Sequence, residues 1–428
     1  TDWDTIVQDS GLSREQISKV GHAVAKSKAT IACWAMGLTQ QPNGVAVIQE
    51  VVNLLLMGGH VGRPGAGFCP VRGHSNVQGD RTVGIWEAPP EHFIERMESG
   101  LNISIPREHG YDVVRAIQAM REGLVDVFFC MGGNFISATP DTLATAEGLR
   151  NVGLTVQVST KLNRSHLVTG KKAIILPCLG RTERDIQASG LQFVSVENSM
   201  GIVHKSTGNL PPASELLKSE PWIVSQLSKH LFDTSPIEWE HIVSNYDLIR
   251  DLMEKSLLGF DNYNERVRQE NGFMLPNPPR DSRSFSTPSG LAHFTTHELP
   301  NVQLEPGHFI MMTIRSHDQY NTTVYDVHDR YRGISGNRRI ILMNALDMAK
   351  RGWRNRQIVS ITSHFDGETR TADGWQLVAY EIPRNNIATY FPEANVLVPL
   401  HSTAKDSNTP TSKWIDVTLS ASSGDEEE

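Results

Sequence analysis

The stretch "ATIACWAMGLTQQPNGVAVIQEVVNLLLMGGHVG", residues 29–62, contains a strand signal, a loop and a helix signal in that order. Its first part, "ATIACWAMG", is a short apolar run that is typical of a buried strand. The segment "GVAVIQEVVNLLLMGGHVG" predicts an apolar helix, and the pair Gly58-Gly59 predicts its end. Because strand, loop and helix repeat in this order in doubly wound α/β sheets, the stretch predicts that fold class.

The same order recurs on both sides of this stretch. Ser13 and Gln16 stand at capping-box spacing and predict a helix over residues 12–28. Further on, "YDVVRAIQAMREG" has helical periodicity, and "VDVFFCMGGN" is a strand that runs into a Gly-Gly turn. "ATPDTLATAEGLRN" predicts a helix with Thr139 as its N-cap and Pro140 as its first residue. "LTVQVST" and "KKAIILPC" add two apolar strands, so we predict a parallel sheet within residues 86–245.

The C-terminal part has a different pattern. Residues 246–300 end in a stretch rich in Asn, Pro and Ser, which predicts a linker or domain-crossing segment. Short β-type runs with turn signals then predict a β-barrel over residues 301–420, with a small helix at "MNALDMAKRGW". We therefore predict the C-terminal part of a first α/β domain (1–85), a second α/β domain (86–245), the linker (246–300), the barrel (301–420) and an acidic tail (421–428).

Composition excludes two classes of function. The net charge of −8 is opposite to the basic face that broad nucleic-acid binding needs, and about half of it comes from the final "DEEE". No run of roughly 18 apolar residues is present, so the sequence predicts no membrane span. The four cysteines lie far apart without a C-x-x-C pair, which favours buried thiols in a reducing, cytoplasmic compartment over a metal site.

Polar loops follow the predicted strands at the edge where ligands bind in such sheets. In "STKLNRSH", Lys161 and Arg164 come directly after a strand, which leaves a ligand site and a solvated turn equally open. In "CPVRGHSNVQGD", Arg72 offers a planar fork for an anionic oxygen, and His74 is able to exchange a proton near neutral pH. A polar connector between domains is the alternative for that loop.

Several segments together resemble one family, the formate-dehydrogenase-like molybdopterin oxidoreductases of the dimethyl sulfoxide reductase superfamily. They are "ACWAMGLTQQPNG", "GHVGRPGAGFCPVRGHSNVQGD", "CMGGN", "LPCLGRTERD" and "TIRSHDQYNTT". The resemblance extends to about residue 420 and is strongest to an uncharacterised "oxidoreductase alpha subunit" branch. It implies Rossmann-like domains followed by a double-psi-type β-barrel that together hold bis(molybdopterin guanine dinucleotide) with molybdenum.

The resemblance also implies site residues. Arg72 matches the arginine that orients the substrate anion in formate dehydrogenases, and His74 stands beside it as a second catalytic candidate. The implied cofactor-binding residues are Met36, Gln40, Gly73, Gly132, Gly133, Asn134, Thr160, Lys161, Asn163, Arg164, Gly180, Arg181, Arg315, His317, Gln319, Asn395 and Lys413. A small-molecule substrate and an electron-transfer partner protein are the implied partners.

Two departures from the family pattern qualify this assignment. Formate dehydrogenases usually have Gln where this chain has His74, which argues against formate as the substrate. The family's N-terminal part, with four cysteines for a [4Fe–4S] cluster and the molybdenum ligand, has no counterpart here, so we expect a C-terminal piece of a longer enzyme. The alternative is a non-catalytic module that holds the cofactor, or only the fold, without turnover.

Overall fold

The computed structural model describes residues 1–300, 303–322 and 324–421. The predicted acidic tail lies outside the described residues, apart from Ala421. The chain divides into two compact units. The first comprises Thr1–Pro70, Phe135–Ala146 and Asn277–Glu428, and we call it the barrel unit. The second comprises Val71–Asn134 and Glu147–Pro276, and we call it the sheet unit.

The helices and strands have the following bounds. The helices are α1 (Trp3–Ser10), α2 (Arg14–Lys26), α3 (Met36–Thr39), α4 (Gly44–Met57), α5 (Val77–Thr82), α6 (Glu91–Leu101), α7 (Val113–Arg121), α8 (Phe135–Ala138), α9 (Thr142–Asn151), α10 (Glu220–Leu231), α11 (Trp239–Ser244), α12 (Tyr246–Ser256), α13 (Tyr263–Arg266), α14 (Pro278–Ser282) and α15 (Ala345–Lys350). The strands are β1 (Ile31–Trp34), β2 (Gly67–Pro70), β3 (Val127–Met131), β4 (Leu154–Ser159), β5 (Lys172–Pro177), β6 (Ile186–Gln187), β7 (Gly190–Leu191), β8 (Val194–Glu197), β9 (Ile202–Ser206), β10 (Phe273–Met274), β11 (Phe309–Ile314), β12 (Ile340–Met343), β13 (Ile358–Phe365), β14 (Glu368–Ala379), β15 (Asn386–Tyr390) and β16 (Ile415–Ala421).

The sheet unit is built on the parallel sheet β3-β4-β5. The central strand β4 is buried along most of its length, whereas β3 and β5 are largely exposed. Helix α7 begins at the cap Asp112 and buries Val114, Ile117 and Met120, the apolar face that its sequence pattern predicts. An antiparallel sheet of β8, β9 and β10 completes the unit.

Two sheets lie among the described residues of the barrel unit. Strands β1 and β2 pair in parallel, and α4 lies between them in sequence. Strands β11 to β16 close into a barrel in the order β11-β15-β12-β14-β13-β16. Its core includes the fully buried side chains of Phe309, Met311, Ile341 and Trp375. Burial of each such side chain contributes roughly 1.5–3 kcal/mol to the free energy of unfolding, so this core stabilises the barrel. The predicted α/β class, parallel sheet and C-terminal barrel are confirmed.

Two details differ from the sequence predictions. The segment predicted as a linker, 246–300, holds α12, α13 and β10 up to Pro276, and all three belong to the sheet unit because Tyr246, Phe260 and Tyr263 are buried there. The predicted cap of α9 is wrong. Thr139, which directly follows α8, donates its hydroxyl to the carbonyl oxygen of Phe135 at the start of that helix, and Asp141 instead accepts from the Ala144 N–H at 3.2 Å.

Candidate functional site

The carboxyl edge of β3-β4-β5 brings together three predicted segments of the sheet unit. These are the turn after β3, the loop after β4 and the loop after β5, which contain Gly132, Gly133, Asn134, Thr160, Lys161, Asn163, Arg164, Gly180 and Arg181. Parallel strands place such loops side by side because all their carboxyl ends meet at one edge.

The turn after β3 needs glycine at two consecutive positions. Gly132 and Gly133 have φ of +70° and +75°, a region that other residues rarely adopt. The Gly132 N–H donates to Val158 O at 2.7 Å, which joins the start of the turn to β4. A Cβ at either glycine would meet no described atom within 4 Å. The turn therefore leaves open space in which a ligand can approach the backbone.

Hydrogen bonds join this turn to the loop after β4. Asn163 Nδ2 donates to Gly133 O at 2.8 Å, and Asn163 Oδ1 accepts from the Ser165 N–H at 2.9 Å. Buried Asn134 contacts the Ser165 hydroxyl at 3.2 Å. Asn134 and Asn163 thus hold the two loops together, while Thr160, Lys161 and Arg164 remain exposed.

The loop after β5 connects this edge to the Arg72 loop. Glu183 accepts from the Gly180 N–H at 2.6 Å, and Arg181 Nη1 donates to Ser75 Oγ at 2.5 Å. Lys161, Arg164 and Arg181 form no ion pair with any carboxylate of the described residues. This edge therefore presents several uncompensated cations, an arrangement suited to anionic oxygens.

Arg72 itself is exposed and held at two points. Its backbone N–H donates to Ser199 Oγ at 3.3 Å, and its Nε donates to Gln78 Oε1 at 2.9 Å. Since Nε is committed to Gln78, the two terminal nitrogens are the part of the fork that faces away from this contact. Gly73 has open space around it, and His74 is exposed in the same loop.

Glu197, at the end of β8, lies behind this loop and was missed by the sequence interpretation. It is 5% exposed, its backbone N–H donates to Asn76 Oδ1 at 3.0 Å, and its Oε2 has no hydrogen-bond partner among the described residues. Burial raises the pKa of Glu197, against the opposing effects of the Thr82 hydroxyl, the Arg72 charge and Gln78. In the sequence, only the segment "NVQGD", which contains Gln78, indicated that polar residues lie behind the Arg72 loop.

A cavity of about 580 Å³ adjoins the two loops. Ser75, Asn76 and Arg181 line it on the loop side, and Trp239 and Ile249 line it elsewhere. A volume of this size is in the range of small-molecule sites, which are mostly apolar with a few polar groups.

The barrel unit carries a second group of predicted residues around Lys413. Its Nζ donates to Thr313 O and lies 3.4 Å from Thr313 Oγ1, and its backbone N–H donates to Gln40 O at 3.0 Å. Burial, and to a smaller extent the positive charge of Arg315, lower the pKa of Lys413 to about 8. Burial also lowers the pKa of Arg315, whose Cζ lies 5.3 Å from the Phe391 ring centroid.

Arg315 and Lys413 are thus two half-buried cations close enough to repel one another. Neither forms an ion pair with a carboxylate in the described part of the chain. Such a pair is costly unless an anion joins it, so this part of the barrel is the strongest electrostatic candidate for an anion site. Gln40 follows α3, which begins at Met36, and both residues are half-buried.

The other predicted barrel residues are engaged within the chain. Gln319 accepts from the Ser316 N–H at 3.0 Å and donates to Phe391 O at 2.8 Å, and buried Asn395 donates to Ser137 O at 2.7 Å. His317 Nδ1 lies 3.1 Å from Asp329 Oδ1. Burial alone would raise the pKa of Asp329, but its bonds from Tyr390, Arg332 and His317 lower it to about 2.

Two classes of feature are missing from the described residues. No group of three or more His, Cys, Asp or Glu side chains gathers there as a set of metal ligands. No described helix combines the length and the apolar character that crossing a bilayer requires.

Comparisons with known proteins identify the family. A family model described as "Molybdopterin oxidoreductase" matches residues 14–185, and one described as "Molydopterin dinucleotide binding domain" matches residues 309–416. An uncharacterized oxidoreductase of Mycobacterium tuberculosis (strain ATCC 25618 / H37Rv) is 50% identical over 422 residues, covering 97% of this chain and 54% of that protein. Protein YdeP of Escherichia coli (strain K12) is 42% identical over 430 residues, covering 99% and 56%.

A putative formate dehydrogenase of Bacillus subtilis, YrhE, is 25% identical over 230 residues, covering 52% of this chain and 22% of that protein. Among solved structures, acetylene hydratase from Pelobacter acetylenicus aligns with a TM-score of 0.63 at 13% identity, covering 98% of this chain and 64% of that chain. The chain spans about half the length of the Mycobacterium tuberculosis and Escherichia coli relatives. By its two matched regions and these relatives, the chain belongs to the molybdopterin oxidoreductases, consistent with the dimethyl sulfoxide reductase superfamily.

Proposed function

We propose that this chain supplies the molybdopterin guanine dinucleotide-binding part of a formate-dehydrogenase-like oxidoreductase. The observation that carries the proposal is the Arg315–Lys413 pair, two half-buried cations with no described carboxylate to neutralise them. A pyrophosphate group of the dinucleotide would remove their mutual repulsion, because each phosphate offers charged oxygens to both side chains.

The carboxyl edge of the sheet unit suits the same cofactor. The open backbone at Gly132 and Gly133 permits close approach, and Lys161, Arg164 and Arg181 would bind phosphate or guanosine oxygens. Thr160 and Asn163 offer polar groups in the same loop. The residues present therefore fit a large anionic cofactor that is contacted by several loops.

Bound at these residues, the cofactor would supply the two-electron redox chemistry of molybdenum. Arg72 would orient a small polar or anionic substrate with its terminal nitrogens, while Gln78 holds its Nε. His74 would accept or donate a proton near that substrate. In this proposal the molybdenum ligand and a [4Fe–4S] cluster belong to the part of the relatives' length that this chain does not cover.

The likeness to a putative formate dehydrogenase supports the reaction class, and His74 argues for a substrate other than formate. The full-length protein, purified from a host that makes the molybdenum cofactor, should contain molybdenum and release GMP on acid hydrolysis. Elemental analysis and nucleotide chromatography that find neither would refute the proposal.

A further inference from the structure

Cys33 and Cys69 are register partners in the parallel pair β1-β2 of the barrel unit. The two cysteines are far apart in sequence, so the sequence alone does not predict this pairing. Register partners on neighbouring strands point their side chains to the same face of the sheet. Neighbouring strands lie about 4.8 Å apart, which is inside the ~4.4–6.8 Å Cα separation that disulfides bridge. Both cysteines are free thiols.

The two thiols have different surroundings. Cys33 is exposed, while Cys69 is half-buried. Burial raises the pKa of Cys69, and the charge and hydrogen bond of Cys33 raise it further, which is consistent with neighbouring sulfurs. A reagent in solution therefore meets Cys33 first, and Cys69 lies in position to react second.

The remaining cysteines provide an internal contrast. Cys130 is on β3 and Cys178 directly follows β5, and β4 lies between those two strands. Burial raises the pKa of both thiols. Among the described residues, Cys33 and Cys69 are the only cysteines that pair across adjacent strands.

We propose that Cys33 and Cys69 form a redox-active dithiol that closes reversibly to a disulfide, with a low-molecular-weight disulfide as the oxidant. The Cys33 thiolate attacks one sulfur of glutathione disulfide, forms a mixed disulfide and releases one glutathione thiolate. The Cys69 thiolate then attacks the Cys33 sulfur and releases the second glutathione. The two cysteines lose two electrons and two protons, which end on two glutathione thiols.

This site is independent of the proposed cofactor chemistry, although it lies close to it in the chain. Met36 begins α3 three residues after Cys33, and Arg72 stands three residues after Cys69. A covalent link would therefore join the strand ends from which both predicted site segments start.

The test uses the native chain, excess glutathione disulfide, intact mass and a peptide map. The wild-type chain should lose two hydrogen atoms and carry a Cys33–Cys69 link without a retained glutathione. Cys69→Ser should stop at the mixed disulfide and retain one glutathione on Cys33. Cys130→Ser, the matched control, should behave like the wild type.

A glutathione that persists on wild-type Cys33, unreacted thiols at both positions, or a different cysteine pairing would overturn the proposal. A second measurement uses only the wild-type chain, so it does not depend on the folding of a variant. Phenylarsine oxide bridges two neighbouring thiols, so the wild-type chain should bind one equivalent through Cys33 and Cys69. Failure to protect both thiols from alkylation would equally overturn it.

Discussion

Arg72 has an exposed guanidinium group whose Nε is held by a hydrogen bond, and this arrangement leaves its terminal nitrogens available to orient an anion. The bond to Gln78 at 2.9 Å removes one direction of freedom, and Glu197 attracts the charge from behind the loop. A pre-oriented fork loses less entropy when it binds an anion than a free side chain does.

Arg72→Ala in the full-length protein should strongly lower kcat while molybdenum and GMP content stay near the wild-type level. Loss of one preorganised charged contact typically costs on the order of 10²–10³ in kcat. Arg115→Ala, at an exposed position on α7, is the control and should leave both quantities unchanged. Loss of the cofactor in Arg72→Ala would assign this arginine to cofactor binding instead.

Glu197 gives a pH-dependent prediction. Because burial raises its pKa in the folded chain, the fold binds this proton more tightly than the unfolded chain does. Its contribution to stability is full below about pH 4.3, the unfolded value, and is lost as pH rises through the folded value. Glu197→Gln should therefore make thermal stability less sensitive to pH across that window.

The measurement is the unfolding temperature of wild type and Glu197→Gln at pH 5 and pH 8. Between pH 5 and pH 8, the unfolding temperature of Glu197→Gln should rise relative to that of the wild type. The unfolding temperature of Glu215→Gln, a substitution at an exposed site, should not. An equal pH dependence in all three proteins would show that Glu197 is ionised throughout.

Lys413 should change the stability of the fold with pH in the direction opposite to Glu197. The pKa of Lys413 is about 8 in the folded chain and about 10.4 in the unfolded chain. Its contribution to the stability of the fold is therefore present above about pH 10.4 and is lost as the pH falls through about 8. At pH 7 the charged pair with Arg315 therefore destabilises the barrel unit, and an anion that binds both side chains should reverse this effect.

Pyrophosphate should stabilise the wild-type chain at pH 7 by about 2.7 kcal/mol at a hundred times its Kd. Thermal unfolding with and without pyrophosphate measures this, and Lys413→Met should lose most of the gain. Lys350→Met, exposed at the end of α15, should keep it. An undiminished gain in Lys413→Met would place the anion elsewhere.

At the scale of elements, the turn after β3 depends on backbone conformation rather than on packing. Gly133 has φ +75° and open space around it, so an added methyl group costs conformational energy and causes no clash. Gly133→Ala should destabilise the chain by roughly 1–2 kcal/mol. Gly73 also has open space but no positive φ, so Gly73→Ala should be near neutral in the same denaturant titration. Equal effects would show that the turn tolerates a side chain.

Element prediction succeeded where a local pattern decides the structure. The capping box of Ser13 and Gln16 is present as predicted, and α7 buries its apolar stripe. Prediction of the α9 cap failed because the Thr139 hydroxyl had a competing acceptor, the carbonyl oxygen of Phe135 at the start of α8, and sequence spacing does not show which hydrogen bond forms.

For the whole molecule, sequence patterns predicted the α/β class and the barrel because strand and helix periodicities are local. They did not predict the division of the chain, in which residues 135–146 and 1–70 belong with the barrel. Contacts distant in sequence were also not predicted, among them the Cys33–Cys69 register, the hydrogen bond from the Lys413 N–H to Gln40 O and the position of Glu197 behind Arg72. The roles of the site residues stay predictions.

The most direct test of the central claim is the molybdenum and GMP content of the full-length protein from a host that makes the cofactor. The wild type should yield two GMP for each molybdenum, and an Arg315→Ala/Lys413→Met double variant should lose most of both while remaining folded by circular dichroism. A folded wild-type protein without molybdenum or GMP, or a double variant that retains both in full, would contradict the account.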